Sequence, residues 1–385
     1  MRLKKRKILF ITERRADYSR LKPIMKAVQE SKKLKLLLLV TGAHLLKNLG
    51  QTKKVIEDDG FKIDSTLPIF SNNDQDDGVT MVKAMGKALL GMADEVSRLK
   101  PDIIFCGFDL GAHLAAAIVG MHLNIHVAHI QGGEVSGTID EVIRHACTKF
   151  AHLHFVASKQ SARRIVMLGE DPRYVFLVGS PSLDTIRHIK YFTKNELAKK
   201  YGLDPNKKLI IFLQHPVTTE VNRVLSQIRE SLKALKEINK DCETQTIAIY
   251  SNNDAGGKRI VAELRKSGIS VVPHIVYEDF LSLMKVADAL VGNSSAGIHE
   301  SSSFGLPTVN IGTRQNLRER GNNIVNVGYN SKSIVRAIRR ALFDKNFIRR
   351  AKKSKNPYDH GDTAKKVVKI LANVKLPPIQ KVLGF

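Results

Sequence analysis

A chain of 385 residues that is 43% apolar can fill two cores of ordinary domain size. No run of about 18 apolar residues occurs, so no membrane-spanning helix is predicted. Cys106, Cys147 and Cys242 are odd in number and far apart, which fits neither a disulfide framework nor a zinc motif and points to the cytoplasm. The net charge of +25 invites a nucleic-acid reading, but the cations are scattered over helical stretches such as KRIVAELRKSG. With 6% aromatic residues and no tryptophan there is no base-stacking platform. Solvated helix faces account for most of the charge, and steering of an anionic substrate follows within about 8–10 Å.

The opening MRLKKRKILFIT is basic, then apolar, and lacks the long apolar region and cleavage site of a signal peptide. Lys7–Thr12 is a predicted strand, Glu13–Ser19 a loop, and Leu21–Ser31 a helix by the spacing of Leu21, Ile24, Met25 and Val28. Leu34–Val40 is the second strand and ends in the polar turn Thr41–His44. A helix over Thr52–Asp59 and a strand near Ile63 precede the acidic loop Ser71–Gly78. Met81–Lys100 is a long amphipathic helix closed by Pro101. Then follow strand Asp102–Cys106, helix Leu110–Met121, strand Ile125–Ile130, helix Val142–Phe150, strand Phe155–Ala157, helix Ser158–Leu168 and strand Val175–Val178. A break between Val178 and Lys208 leads to a second alternating series, with strands Leu209–Gln214, Thr246–Tyr250, Ile269–Pro273, Ala289–Gly292 and Thr308–Ile311. Basic helices Ser331–Phe343 and Phe347–Lys353, a turn at Asn356–Gly361 and a helix over Asp362–Leu371 close the chain. Such alternation predicts an α/β fold with parallel sheets, which bind ligands beyond the carboxyl ends of their strands. Arg15, His44, Asp109 and the run Gln131 to Glu134 lie at such ends.

The stretch from Val291 to Gln315, VGNSSAGIHESSSFGLPTVNIGTRQ, reads as strand, tight loop, helix to Phe304, and strand. A Ser/Gly loop entering a helix offers unpaired N–H groups, hydroxyls and the positive end of the helix dipole, so phosphate is its natural guest. Ser294, Ser295 and Gly297 form that cradle, Glu300 can accept from two vicinal ribose hydroxyls, and Arg314 adds a cation. The competing reading is an N-capped helix in an ordinary βαβ unit.

Four stretches carry a family resemblance: RRADYSRLKPIM, GGEVSGTIDEVIRHACTKFAH, LQHPVTTE with SNNDAGGK, and GNSSAGIHE followed by FGLPTVNIGTRQ. In this order the sequence resembles the UDP-N-acetylglucosamine 2-epimerase family over nearly its whole length, and its hydrolysing branch most closely. That branch includes the epimerase half of the animal bifunctional epimerase/kinase. The resemblance implies a GT-B-like fold, two Rossmann-like domains whose parallel sheets face each other across a cleft. Residues 1–180 would hold the acid/base groups, 181–355 would bind UDP, and 356–385 would return to the first domain. It implies a cytoplasmic homodimer or homotetramer without metal or other cofactor. The reaction would release UDP and N-acetylmannosamine for nonulosonic (sialic-type) acid synthesis.

In that reaction the C1–O bond to UDP breaks, the C2 proton is lost to give a glycal, and water adds with inversion at C2. Donors must meet the charge on the leaving diphosphate, and the resemblance assigns this to Arg15, Ser294, Ser295 and Arg314. Ser19, His44, His215, Asn252 and Lys258 match further substrate contacts, with His215 donating to diphosphate or sugar, while Asp254 would order its own turn. The acidic positions match Asp109 and Asp140. The family's Gly-Asp-Arg appears as Gly107-Phe108-Asp109-Leu110, with one residue inserted and the arginine gone. Its His-Ile-Glu-Gly-Gly appears as His129-Ile130-Gln131-Gly132-Gly133. A neutral amide cannot take a proton, so Glu134 is expected to replace that glutamate, with Asp140 and Asp109 as partners. The competing reading of Asp140 is a helix N-cap. Arg144, on the same helix, could pair with a carboxylate. The histidines between His113 and His154 repeat no metal-binding spacing. Alternatives are the same reaction on UDP-2,4-diacetamido-2,4,6-trideoxyglucose, a non-hydrolysing epimerase, a GT-B glycosyltransferase, or a basic nucleic-acid binder.

Overall fold

The computed structural model describes residues 4–47, 52–108, 110–241, 243–252 and 254–382. They form two compact units. The first takes the described chain up to Glu134, Ile139–Thr185 and the chain from Tyr358 onward; the second takes Val135–Thr138 and Ile186–Pro357.

The first unit is built on β1 (Arg6–Thr12), β2 (Leu34–Thr41), β3 (Ser65–Leu67), β4 (Ile103–Gly107), β5 (His126–Ile130), β6 (Leu153–Val156) and β7 (Val175–Leu177). Their order is β3-β2-β1-β4-β5-β6-β7, parallel throughout. Strands buried on both faces read as continuous apolar runs, and β1 does so: Ile8 and Phe10 enter one core, Leu9 and Ile11 the other. The strand order reverses direction between β1 and β4. That switch point leaves a crevice at their carboxyl ends, where Arg15 and Phe108 follow.

The second unit holds β8 (Lys208–Leu213), β9 (Thr244–Ile249), β10 (Ser270–Val272), β11 (Ala289–Gly292), β12 (Thr308–Ile311) and β13 (Ile324–Val327), in the parallel order β10-β9-β8-β11-β12-β13. Ile210 and Phe212 face one core, Leu209 and Ile211 the other. Its switch point lies between β8 and β11, and His215 and Asn293 follow those strands.

Three local features depart from the sequence reading. The first helix, Arg15–Glu30, starts six residues earlier than its apolar spacing implies, because the Asp17 carboxylate accepts the N–H groups of Glu13 and Arg14, each at 2.8 Å. The expected break before β8 carries two helices, Ser182–His188 and Lys194–Tyr201, the latter opened by a Thr193–Glu196 capping box. The strand expected near Ile63 forms at Ser65–Leu67 instead.

The last helix, Thr363–Asn373, packs into the first unit's core through Val367 and Leu371. Asp184 accepts its first N–H groups, from Thr363 at 3.0 Å and Ala364 at 2.6 Å. Lys381 then donates to the carbonyls of Lys149 and Ala151, at 2.8 and 2.5 Å, and pairs with buried Glu170 at 2.6 Å. Lys149, at 2.6 Å, and His154, at 3.1 Å, also reach that carboxylate. Burial opposes ionisation of Glu170, yet these bonds override it and hold the carboxyl at about 2. A depressed folded-state pKa contributes stability above the unfolded value near 4.5 that is lost as pH falls towards 2. Glu170→Gln is therefore expected to lower the melting temperature at pH 7 and to flatten the acid loss between pH 4.5 and 2, as melting curves across that range would show.

Candidate active site

The carboxyl edge of the first sheet gathers buried charge. Glu13 follows β1, and its Oε2 accepts the Ala112 N–H at 3.0 Å; burial raises its carboxyl above the ordinary value. Burial also pushes Asp17 upward, but a bond from His113, with the Glu13 N–H, outweighs it and holds Asp17 low. His113 Nδ1 accepts the Gly107 N–H at 2.9 Å, so its proton sits on Nε2, 3.1 Å from Asp17. Arg15 is half-buried, and burial lowers its guanidinium to about 10, still charged at neutral pH. Its Nη1 is buried without a hydrogen-bond partner among the described residues, a donor held ready for an anion. Ser19 lies one turn further on the same helix, its hydroxyl donating to Ala16 O at 3.3 Å.

His44 takes a different place from the expected substrate contact. Its ring is fully buried, with Nε2 bonded to Thr12 Oγ1 at 2.9 Å and Nδ1 to Thr52 Oγ1 at 2.6 Å. Burial lowers it to about 4, so it stays neutral and braces β1 against the chain at Thr52. Asp109 lies outside the described residues.

Both departures from the family pattern fall on left-handed backbone: Phe108 has φ 67° and Gln131 has φ 57°. Each costs a non-glycine residue on the order of 1–3 kcal/mol, a strain that clusters at functional sites. Phe108 follows β4, meets His113 edge-on at 6.1 Å and carries the Arg20 guanidinium 5.5 Å above its ring. Gln131 follows β5; its Nε2 donates to Glu134 Oε1 at 3.0 Å, while its Oε1 is buried with no hydrogen-bond partner among the described residues. Buried Arg144 donates to Glu134 O at 3.0 Å and lies 4.0 Å from Glu141. Asp140 is the first residue of the helix Asp140–Phe150; Ile139 before it stands at the N-cap and makes no side-chain capping bond.

At the second unit's switch point a different set converges. The Asn293 amide clamps the backbone of His215: Oδ1 accepts its N–H at 2.7 Å and Nδ2 donates to its carbonyl at 2.9 Å. His215 Nδ1 accepts the Asn252 N–H at 3.1 Å, placing the ring proton on Nε2. Asn252 Nδ2 donates to Asp254 at 2.5 Å, and Arg314 lies 4.0 Å from the same carboxylate. Asp254 thus joins two site residues as well as shaping its turn. Arg314 and Gln315 donate to Asn293 O at 3.4 and 2.8 Å, so three sequence-predicted residues, His215, Asn252 and Arg314, share one network, with Ser294 next to Asn293 in the chain.

The loop itself is tighter than read. The α-helical segment is only Ala296–His299, and a 3₁₀ turn, Ser301–Phe304, follows after a joint at Glu300. Ser294 Oγ accepts the Ala296 N–H at 3.3 Å, and Ser295 is the N-cap. Gly292 has φ 133°, and a Cβ there would lie 2.1 Å from Leu213 O, so only glycine brings β11 this close to β8. Gly297 faces the Thr308 methyl and Leu290, a packing position. Glu300 is buried, and Lys258 is exposed on the helix Gly257–Arg265.

The histidine-rich segment is spent on structure: His126 and His152 bond the carbonyls of Pro377 and Ile379, His154 meets Glu170, and His145 meets Glu141. Among the described residues no cluster of three His, Cys, Asp or Glu could hold a metal ion, and no helix is long and apolar enough to cross a membrane. Asn293 and Gln315 were missed from sequence, and Asp254 was assigned only to its turn, because amides and a turn aspartate carry no motif of their own. Their only signal was adjacency to Ser294, Asn252 and Arg314.

Comparison with known proteins adds the family. The profile described as UDP-N-acetylglucosamine 2-epimerase matches residues 26–372. A UDP-N,N'-diacetylbacillosamine 2-epimerase (hydrolyzing) of Legionella pneumophila is 36% identical, covering 96% of this chain and 97% of that protein. A UDP-N-acetylglucosamine 2-epimerase of Neisseria meningitidis is also 36% identical, over 87% of each. In fold, the chain is similar to the crystal structure of UDP-GlcNAc 2-epimerase from Neisseria meningitidis bound to UDP-GlcNAc, with TM-score 0.79 and 17% identity over 95% of this chain and 99% of that one.

Proposed function

Because this chain belongs to the UDP-N-acetylglucosamine 2-epimerase family, we propose that it is a hydrolysing 2-epimerase of a UDP-linked 2-acetamido sugar, UDP-2,4-diacetamido-2,4,6-trideoxyglucose. The observation that carries the reading is the network joining His215, Asn252, Arg314 and the Ser294 loop through Asn293, a set of donors suited to a diphosphate leaving group. In the first unit, Arg15 is charged and keeps a buried donor without a hydrogen-bond partner among the described residues, a further candidate to meet the diphosphate. As the C1–O bond breaks, UDP departs with its electron pair. Glu134 takes the C2 proton to give the glycal, and Asp140 assists the addition of water across the double bond on the opposite face. One water is consumed; UDP and the free 2-epimerised sugar are the products. The stretch GGEVSGTIDE favours hydrolysis over retention of UDP. The sugar is chosen from the Legionella relative, whose named substrate is this 2,4-diacetamido sugar. A second reading, UDP-N-acetylglucosamine, is favoured by the Neisseria relative of equal identity. Either product would enter nonulosonic acid synthesis in the cytoplasm.

The test is incubation with each UDP-sugar in deuterated water. We expect free UDP and one deuterium at C2 of the released sugar, faster with the diacetamido substrate. An epimerised sugar still attached to UDP would overturn hydrolysis, and a product formed only with an added acceptor would indicate glycosyl transfer.

A further inference from the structure

Gln131 and Glu134 sit three residues apart on the turn that leaves β5, and the amide nitrogen of one donates to the carboxylate of the other at 3.0 Å. An ionised carboxylate offers only acceptors, so it selects the nitrogen end of the amide. The carbonyl end is then left buried and unbonded. The residue also has a left-handed backbone, φ 57°. A strained backbone and an orphaned carbonyl together disfavour glutamine here, so the contact with Glu134 has a role that outweighs them. Other charged and titratable groups pack around the same turn. Arg144 and Arg164 donate to the carbonyls of Glu134 and Gly133, at 3.0 and 3.1 Å. Glu141 faces Arg144 at 4.0 Å, and His129 below the turn is bonded to Thr148 at 3.2 Å and neutral.

Resting on the reading of Glu134 as the base, we propose that Gln131 is a positioning residue that exchanges no proton itself. Its N–H stabilises the ionised form of Glu134 through Oε1 and keeps the base competent at lower pH. A glutamate at 131 would do the reverse, setting two carboxylates about 3 Å apart and raising the pKa of one of them.

Two variants test this. Gln131→Asn keeps an amide on a residue that tolerates left-handed backbone but shortens its reach. Gln131→Glu keeps the reach and replaces the donor. Uniform ¹³C labelling of glutamate carboxyls, with the Glu134 signal assigned from Glu134→Gln, follows the titration of Glu134 in the substrate-free protein. We expect its midpoint to rise by about one pH unit in Gln131→Asn and by more in Gln131→Glu. The acid limb of kcat/KM should shift by the same amount. An unchanged Glu134 titration in both variants overturns the proposal, and so does a Gln131→Glu enzyme faster than wild type at neutral pH with the limb unmoved. The titration needs no turnover, so a wild-type protein inactive on every UDP-sugar would sink the proposed function and leave this measurement to decide the role of Gln131.

Discussion

Asp140→Asn is expected to lower turnover at least 10²-fold while leaving UDP-sugar affinity and folding close to wild type. Asp140 opens the helix Asp140–Phe150, and Ile139, not Asp140, occupies the N-cap. Losing its charge in the first helical turn removes a dipole contribution of about 0.3–1 kcal/mol, small against the stability of a domain. The acid/base contribution of a positioned carboxylate is larger, typically 10²–10⁴-fold in rate. UDP release in a stopped assay, calorimetric affinity for the UDP-sugar and a melting curve are sufficient. A variant that folds and turns over like wild type would take Asp140 out of the chemistry.

Gly137→Ala should cost activity by a different route. The segment Val135–Thr138 belongs to the second unit, although Glu134 before it and Ile139 after it belong to the first. Gly137 donates to Arg314 O at 3.1 Å, and a Cβ on it would lie 2.1 Å from Thr313 O. That overlap is with backbone, so the alanine cannot be accommodated by a side-chain rotation and the segment must move. Displacement by about 1 Å near reacting groups costs roughly 10²-fold in rate, and Glu134 and Asp140 flank the segment. We expect a fall of that order in kcat, with faster amide exchange confined to residues near 135–138 and both sheets still protected. Wild-type kcat with unchanged exchange would show that the close approach at Gly137 is not needed.

Much of this molecule was legible before its coordinates. Apolar runs such as Ile8–Ile11 and Leu209–Phe212 are buried on both faces and so announce parallel strands. The polar residues at their carboxyl ends, Arg15 and His215 among them, fall beside the two switch points. The start of the helix Arg15–Glu30 was placed late, at Leu21, because its first turn is specified by one carboxylate, Asp17, and carries no apolar period. His44 was misplaced for a related reason. A histidine after a strand looks the same in sequence whether it faces solvent or, as here, lies buried between Thr12 and Thr52.

Pattern along the chain determined the class of fold, the two-unit plan and the family, since each depends on residue type and spacing, which are local properties. Tertiary structure alone decided which amides carry the site, that Asn293 ties His215 to Arg314, that Gln131 bonds Glu134, and that four residues after Glu134 join the other unit. Hydrogen bonds between groups far apart in the chain, such as His215 and Asn293 at 78 positions, depend on directions in space, and no periodicity in the sequence encodes those directions.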